Sequence, residues 1–313
     1  MSGNFKILAI DGGGFRGAYS AHLLQRIETE FSIDWKKEFN LIAGTSTGAI
    51  IAASLALGHP AKKVVELYEN HGEDIFKKGL IPRMGLFGSK YDNKGLRNVL
   101  HNLFGKAKLG DIDIPLILPA TDIANGCVHV FKSTFHKEFF RDKDVLVSEA
   151  VLASCSAPTY FPPILLTGNK YLLADGGLWA NSPSLVAAID AKKRLGANLN
   201  DLKVLSIGTG KTNQFYPIKK FKKSHPMGWG FATRWGRGKF IEMILNLQSE
   251  TANNMLGLLL EQNQILRLNF ESDRKHPLDS PDELDDLNTK ADHDFTHKSP
   301  DIKKFLDKED SYE

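Results

Sequence analysis

Three glycine-rich turns, each directly after a short run of strand character, constrain this chain more than anything else in it. Phe5 to Ile10 runs into Asp11-Gly12-Gly13-Gly14-Phe15-Arg16-Gly17, Leu41 to Ala43 into Gly44-Thr45-Ser46-Thr47-Gly48, and Tyr171 to Ala174 into Asp175-Gly176-Gly177. Short apolar runs without polar alternation read as strands covered on both faces, the pattern of a parallel sheet between helices. Ile114 to Leu118, Val128 to Phe131 and Val204 to Ile207 are further such runs. Helical patterns at Ala18 to Phe31, Ala49 to Leu57, Ala61 to Asn70, Lys94 to Leu103, Ser184 to Leu195 and Ile241 to Leu260 fall among them, with Gly58 and Gly196 as stops. The expected fold class is α/β, a mostly parallel central sheet flanked by helices on both faces. The three turns are expected to meet at one end of that sheet, where such folds build their sites.

With 42% hydrophobic and 25% charged residues over 313 positions, the chain can bury a full core. Its net charge of +3 is too weak a bias to point to nucleic acid. Cys127 and Cys155 lie far apart and form no metal-spaced pair, so neither a disulfide framework nor a zinc site is expected. MSGNFKILAI lacks the pattern of a secretory leader, and no run approaches the roughly 20 apolar residues of a membrane span. A cytoplasmic location is expected, with any membrane contact peripheral.

Asp11 to Gly17 satisfies the G-x-G-x-x-G pattern of a dinucleotide site, and N–H groups opening a helix suit a phosphate or an oxyanion equally. A dinucleotide would call for an acidic residue ending a second strand; Asp34 stands at the right distance, but FSIDWKKEF is no buried strand. Gly208 to Thr212 resembles a phosphate loop except that Leu205 occupies the position of its first glycine. Gly44 to Gly48 is a G-x-S-x-G set between strand and helix, a turn that exposes a serine nucleophile at a helix N-terminus; a merely tight turn is the plainer alternative. A serine needs a base. His225, His276, His293 and His297 follow the middle strands but fall in polar or irregular segments and are expected at the surface. Asp175, directly after its strand, is the better candidate.

Taken with Ala153-Ser154-Cys155-Ser156-Ala157-Pro158 and Phe161-Pro162-Pro163, the three turns resemble the motifs of the patatin-like phospholipase family: DGGGxRG, GxSxG and DG[GA]. The resemblance spans Asp11 to Gly177 and continues to about Phe270. It implies a patatin-like three-layer fold as a single domain over residues 1–313, with a motif-bearing core at about 5–210 and a C-terminal cap or extension at about 211–313. It implies Ser46 as nucleophile and Asp175 as base, a dyad needing no histidine. The backbone N–H groups of Gly12, Gly13 and Gly14 would form the oxyanion hole, with Arg16 holding that loop or meeting lipid phosphate. The implied reaction is release of fatty acids from membrane phospholipids with no cofactor and no calcium.

Some bacterial members of the family are anti-phage effectors held inactive until a cyclic oligonucleotide binds. The partners expected are therefore a phospholipid membrane surface at the inner face and a cyclic dinucleotide activator, without DNA or RNA; a homo-oligomer is compatible. Housekeeping lipid hydrolysis, a non-catalytic lipid or nucleotide sensor, and a small-ester hydrolase with a Ser-His-Asp triad stay open as alternatives. Two segments bear on access. Lys77 to Ser89 is irregular and could form a lid. In Lys219 to Phe240, Lys219, Lys220, Lys222, Lys223, Arg234, Arg237 and Lys239 interleave with Trp229, Phe231 and Trp235. That chemistry suits anionic headgroups or a nucleotide, and equally a solvated loop.

Overall fold

In the first strand, β1 (Phe5–Ile10), Ile7 and Ala9 point into one apolar layer and Leu8 and Ile10 into the other, because successive side chains alternate between the faces of a sheet. Both layers are packed, so the strand is apolar from Ile7 to Ile10 instead of alternating with polar residues. The same division holds in β2 (Leu41–Gly44) and β7 (Leu202–Ile207). The structure is a computed structural model; it describes residues 4–76, 88–166, 171–212 and 237–308. Residues 77–87, most of the expected lid, and residues 213–236, most of the basic aromatic segment, lie outside the described residues.

The remaining strands are β3 (Leu116–Asp122), β4 (Cys127–Lys132), β5 (Ile164–Leu165), β6 (Leu172–Asp175), β8 (Lys211–Thr212), β9 (Ile265–Leu268) and β10 (Glu271–Ser272). The helices are α1 (Gly17–Phe31), α2 (Trp35–Glu38), α3 (Thr47–Ala56), α4 (Ala61–Ile75), α5 (Lys94–Phe104), α6 (Val147–Ser154), α7 (Gly177–Ala180), α8 (Ser184–Arg194), α9 (Arg237–Leu259) and α10 (Leu284–Phe305). An eight-stranded sheet runs β5-β6-β3-β2-β1-β7-β9, with β4 paired to β3 off that path, and β8 and β10 make a separate parallel pair. Helices α1, α3, α4, α5, α6 and α10 contribute to the larger core layer, while α8 supplies Ala187, Ala188 and Ala191 to the other and α9 supplies Leu256, with Leu260 just after α9. Within the region expected as a C-terminal cap or extension, β9 continues the sheet beside β7, and α10 packs on α1, where the Tyr19 hydroxyl donates to Asp294 at 2.6 Å. No helix among the described residues is long and apolar enough to cross a membrane.

The pairing around β3 sets the position of the site. β4 lines one flank of β3 from Ile117 to Asp122, so β2, paired at Leu116 and Ile117, and β6, paired at Ala120 to Asp122, share the other flank. β2 runs parallel to β3 and β6 antiparallel, so their C-terminal ends approach each other near the middle of β3. The expectation that all three turns end parallel strands is corrected here. Asp175 reaches the site from the opposite direction, along the part of β3 that extends beyond β2.

Candidate active site

Ser46 caps the N-terminus of α3, every residue of which is buried. Its backbone has φ 55° and ψ −124°, left-handed for a residue with a β-carbon, a conformation that costs about 1 to 3 kcal/mol unless its surroundings hold it. The turn is held from several sides. Thr45 N–H donates to the Ile10 carbonyl at 3.1 Å, Thr45 Oγ1 to the Ala180 carbonyl at 2.6 Å, and Ser46 N–H to Ser154 Oγ at 2.9 Å. A β-carbon at Gly48 would run into the Ile10 carbonyl, so only glycine lets α3 begin this close to β1.

Ser46 Oγ donates to Asp175 Oδ2 at 2.7 Å. The other carboxylate oxygen, Oδ1, accepts the Gly177 N–H at 2.6 Å. The Asp175 backbone is fixed too, its N–H on the Ser156 carbonyl at 3.0 Å and its carbonyl on Thr121 Oγ1 at 2.8 Å. Burial pushes the Asp175 carboxyl up from its ordinary 3.8 to about 7, against the opposing pull of the Gly177 N–H and the Ser46 hydroxyl. A carboxylate in that range is a stronger proton acceptor than an exposed one and still ionises near neutrality.

The Asp11 to Gly17 loop lies against this pair. Of the three expected oxyanion donors, the Gly12 N–H is already engaged, by the Asn181 carbonyl at 2.9 Å, a correction to that expectation. Gly13 and Gly14 line the same pocket as Ser46 and Asp175, and no acceptor for their N–H groups is found among the described residues. Gly14 has φ +58°, and a β-carbon there would strike the Leu278 carbonyl, which also accepts the Phe15 N–H at 2.8 Å. Arg16 Nε donates to the Gly13 carbonyl at 3.3 Å from inside the loop; burial lowers its guanidinium from the ordinary value, opposed by Glu242 and Tyr160. Thr209 Oγ1 donates to the Gly12 carbonyl at 2.8 Å, and Asp11 is paired to Arg267 at 2.6 Å.

The pocket holds about 580 Å³ of empty space, partly open to solvent, and is apolar away from the Ser46–Asp175 pair. Ile50, Tyr68, Ile75, Phe76, Leu96 and Phe161 form much of its wall. Among the described residues, no histidine lines it. His276 is a correction to the expected surface position: it is buried, between Glu283 at 2.9 Å and Ser272 at 3.0 Å, and bonds to neither Ser46 nor Asp175. His293 and His297 are exposed on α10, and His225 lies outside the described residues. Asp34 caps α2 by accepting the Lys36 N–H at 3.0 Å and ends no strand. The reading of isolated turns did not assign Ser154, Asn181, Thr209, Arg267 or Leu278, all of which hold the loops; Ser154 and Asn181 do lie in short polar stretches beside the motifs.

Comparison with known proteins finds similarity over most of the chain. A family model described as patatin-like phospholipase matches residues 8–188. A cGAMP-activated phospholipase of Pseudomonas aeruginosa is 32% identical over 263 residues, covering 83% of this chain and 76% of that protein. A cUMP-AMP-activated phospholipase of Escherichia coli is 28% identical, covering 86% and 82%. Patatin-like protein 1 of Arabidopsis thaliana is 32% identical, covering 80% and 68%.

Proposed function

The chain belongs to the patatin-like phospholipase family and is a hydrolase, and from that premise we propose that Ser46 and Asp175 act as a dyad releasing fatty acid from membrane phospholipids. The observation that carries the reading is the 2.7 Å bond from Ser46 Oγ to Asp175 Oδ2 inside an apolar pocket that also presents Gly13 and Gly14. As Oγ attacks the acyl carbonyl, Asp175 takes its proton and the carbonyl oxygen acquires charge beside the Gly13 and Gly14 N–H groups. Donors fixed at that position are worth about 2.7 to 4 kcal/mol each in a comparable site. Asp175 returns the proton to the leaving lysolipid oxygen, then takes one from the water that attacks the acyl-enzyme and delivers it to Ser46 Oγ as the Oγ–acyl bond breaks and the fatty acid departs. Serine supplies the nucleophile, so the cycle calls on no metal and runs without calcium.

The names of the relatives from Pseudomonas aeruginosa and Escherichia coli support a second element, gating by a cyclic dinucleotide; an anti-phage role at the inner membrane face rests on the family resemblance alone. Fatty-acid release from mixed phospholipid vesicles by wild type and Ser46→Ala, in EDTA and with and without cGAMP or cUMP-AMP, tests both elements. Release that requires Ser46 is expected in EDTA and rises with one nucleotide. Equal release by both proteins in every condition would overturn the dyad; Ser46-dependent release that ignores every nucleotide would overturn the gating alone.

A further inference from the structure

We propose that Ser154 is a positioning residue for the nucleophile, acting through the backbone of Ser46. Its fully buried hydroxyl joins two main-chain groups, accepting the Ser46 N–H at 2.9 Å and donating to the Pro119 carbonyl at 2.6 Å. Pro119 lies on β3 between the stretch paired with β2 and the stretch paired with β6. Ser154 therefore fills the gap where the ends of those two strands face each other.

Two consequences follow for the geometry. Ser46 holds φ 55°, and the bond to Ser154 Oγ fixes its own N–H in that conformation. Relaxing toward ordinary φ would swing Oγ away from both Asp175 and the Gly13–Gly14 turn. The same stretch of chain also fixes the base, because the Ser156 carbonyl accepts the Asp175 N–H at 3.0 Å. The end of α6 thus holds the backbones of the nucleophile and the base in one rigid frame, with Cys155 between them in the pocket wall. Misplacing a reacting group by about 1 Å can lower turnover about a hundredfold.

The inference rests on Ser46 being the nucleophile. A control is built into the fold: Ser133, equally buried, accepts the Leu116 N–H at 2.9 Å and donates to the Ile114 carbonyl at 2.9 Å, the same bond pattern near the other end of β3. We would measure kcat and KM on a soluble short-chain ester, the rate of inactivation by a fluorophosphonate, and the thermal midpoint for Ser154→Ala and Ser133→Ala. The expected result is a comparable loss of midpoint in both, with kcat and the inactivation rate reduced about a hundredfold only in Ser154→Ala and KM nearly unchanged. Ser154→Cys fills the same space with a weak hydrogen-bonding group. It is expected to fold and to show the same selective loss of kcat, and it decides the matter if the alanine variant does not fold. Equal kcat in the Ser154 and Ser133 variants, or a loss confined to KM, overturns the inference. Turnover retained by Ser46→Ala would instead remove the dyad on which it rests.

Discussion

At the scale of single residues, the base role proposed for Asp175 comes with a folding penalty. Its proton acceptance requires the carboxylate, so kcat/KM should fall about tenfold per pH unit below about 7, with the break near the value burial imposes. The same shift has the opposite consequence for stability. Between about pH 4 and 7 the folded protein binds a proton at Asp175 that the unfolded chain, titrating near 3.8, has lost, so stability is lost as pH rises through that window. Asp175→Asn removes the titration. It should abolish turnover yet gain, relative to wild type, on the order of 2 to 4 kcal/mol at pH 8, and the advantage should vanish below about pH 4. Denaturant melts at the two pH values check this, and an advantage independent of pH would show that Asp175 is not the penalised group. Both residues of the pair were legible in the sequence because each sits in a glycine-bounded turn after a strand. Ser154 was not, because its role depends on a carbonyl of β3 and an N–H of the β2–α3 turn, contacts between segments far apart in the chain.

At the scale of elements, the oxyanion loop is completed from the C-terminal part of the chain. The Leu278 carbonyl accepts the Phe15 N–H at 2.8 Å, and the neighbouring Asp279 accepts from the Tyr91 hydroxyl at 2.7 Å and pairs with Lys90. Tyr91 packs against Phe76 and Phe161 of the pocket wall. The segment around 278–279 therefore ties the loop to the wall that faces it. Asp279→Ala leaves the buried Tyr91 hydroxyl without its acceptor, at about 1 to 3 kcal/mol of stability. It should also lower kcat on a soluble ester by about tenfold as the loop loosens, a change of about 1.4 kcal/mol in the barrier. A variant that loses stability but keeps full kcat would show that the tie supports the fold alone. This part of the fold was the least legible. β9 carries Arg267 within four residues, which masks it as a strand until Asp11 appears beside it, and α10 is largely polar with Pro300 inside it. The strands next to β1 were clear because both faces are covered, whereas β6 was found with its direction wrong, since a short apolar run carries no sign of parallel or antiparallel pairing.

At the scale of the whole molecule, an activator can change turnover only by binding the active arrangement more tightly than the resting one, whatever its overall affinity. Shifting the population from about 1:99 to 99:1 takes a difference of about 10⁴-fold, or about 5.5 kcal/mol. Gating and catalysis can therefore be separated in Ser46→Ala, which keeps the backbone contacts of the turn and loses the hydroxyl's bond to Asp175. If a cyclic dinucleotide gates this hydrolase, Ser46→Ala should still bind it, and at about 100 times the dissociation constant should gain about 2.7 kcal/mol of stability, read as a rise in thermal midpoint. Wild type under the same conditions should gain vesicle hydrolysis and also turnover of a soluble ester, because a rearranged site acts on both. An activator that merely recruits the protein to membranes predicts otherwise. Vesicle hydrolysis alone would rise, and it would fall again between about 0.1 M and 1 M salt, where the screening length shrinks from about 10 Å to 3 Å. Stabilisation of Ser46→Ala together with activation on the soluble ester would place the switch at the catalytic pocket, and stabilisation without it would place the switch at the membrane surface.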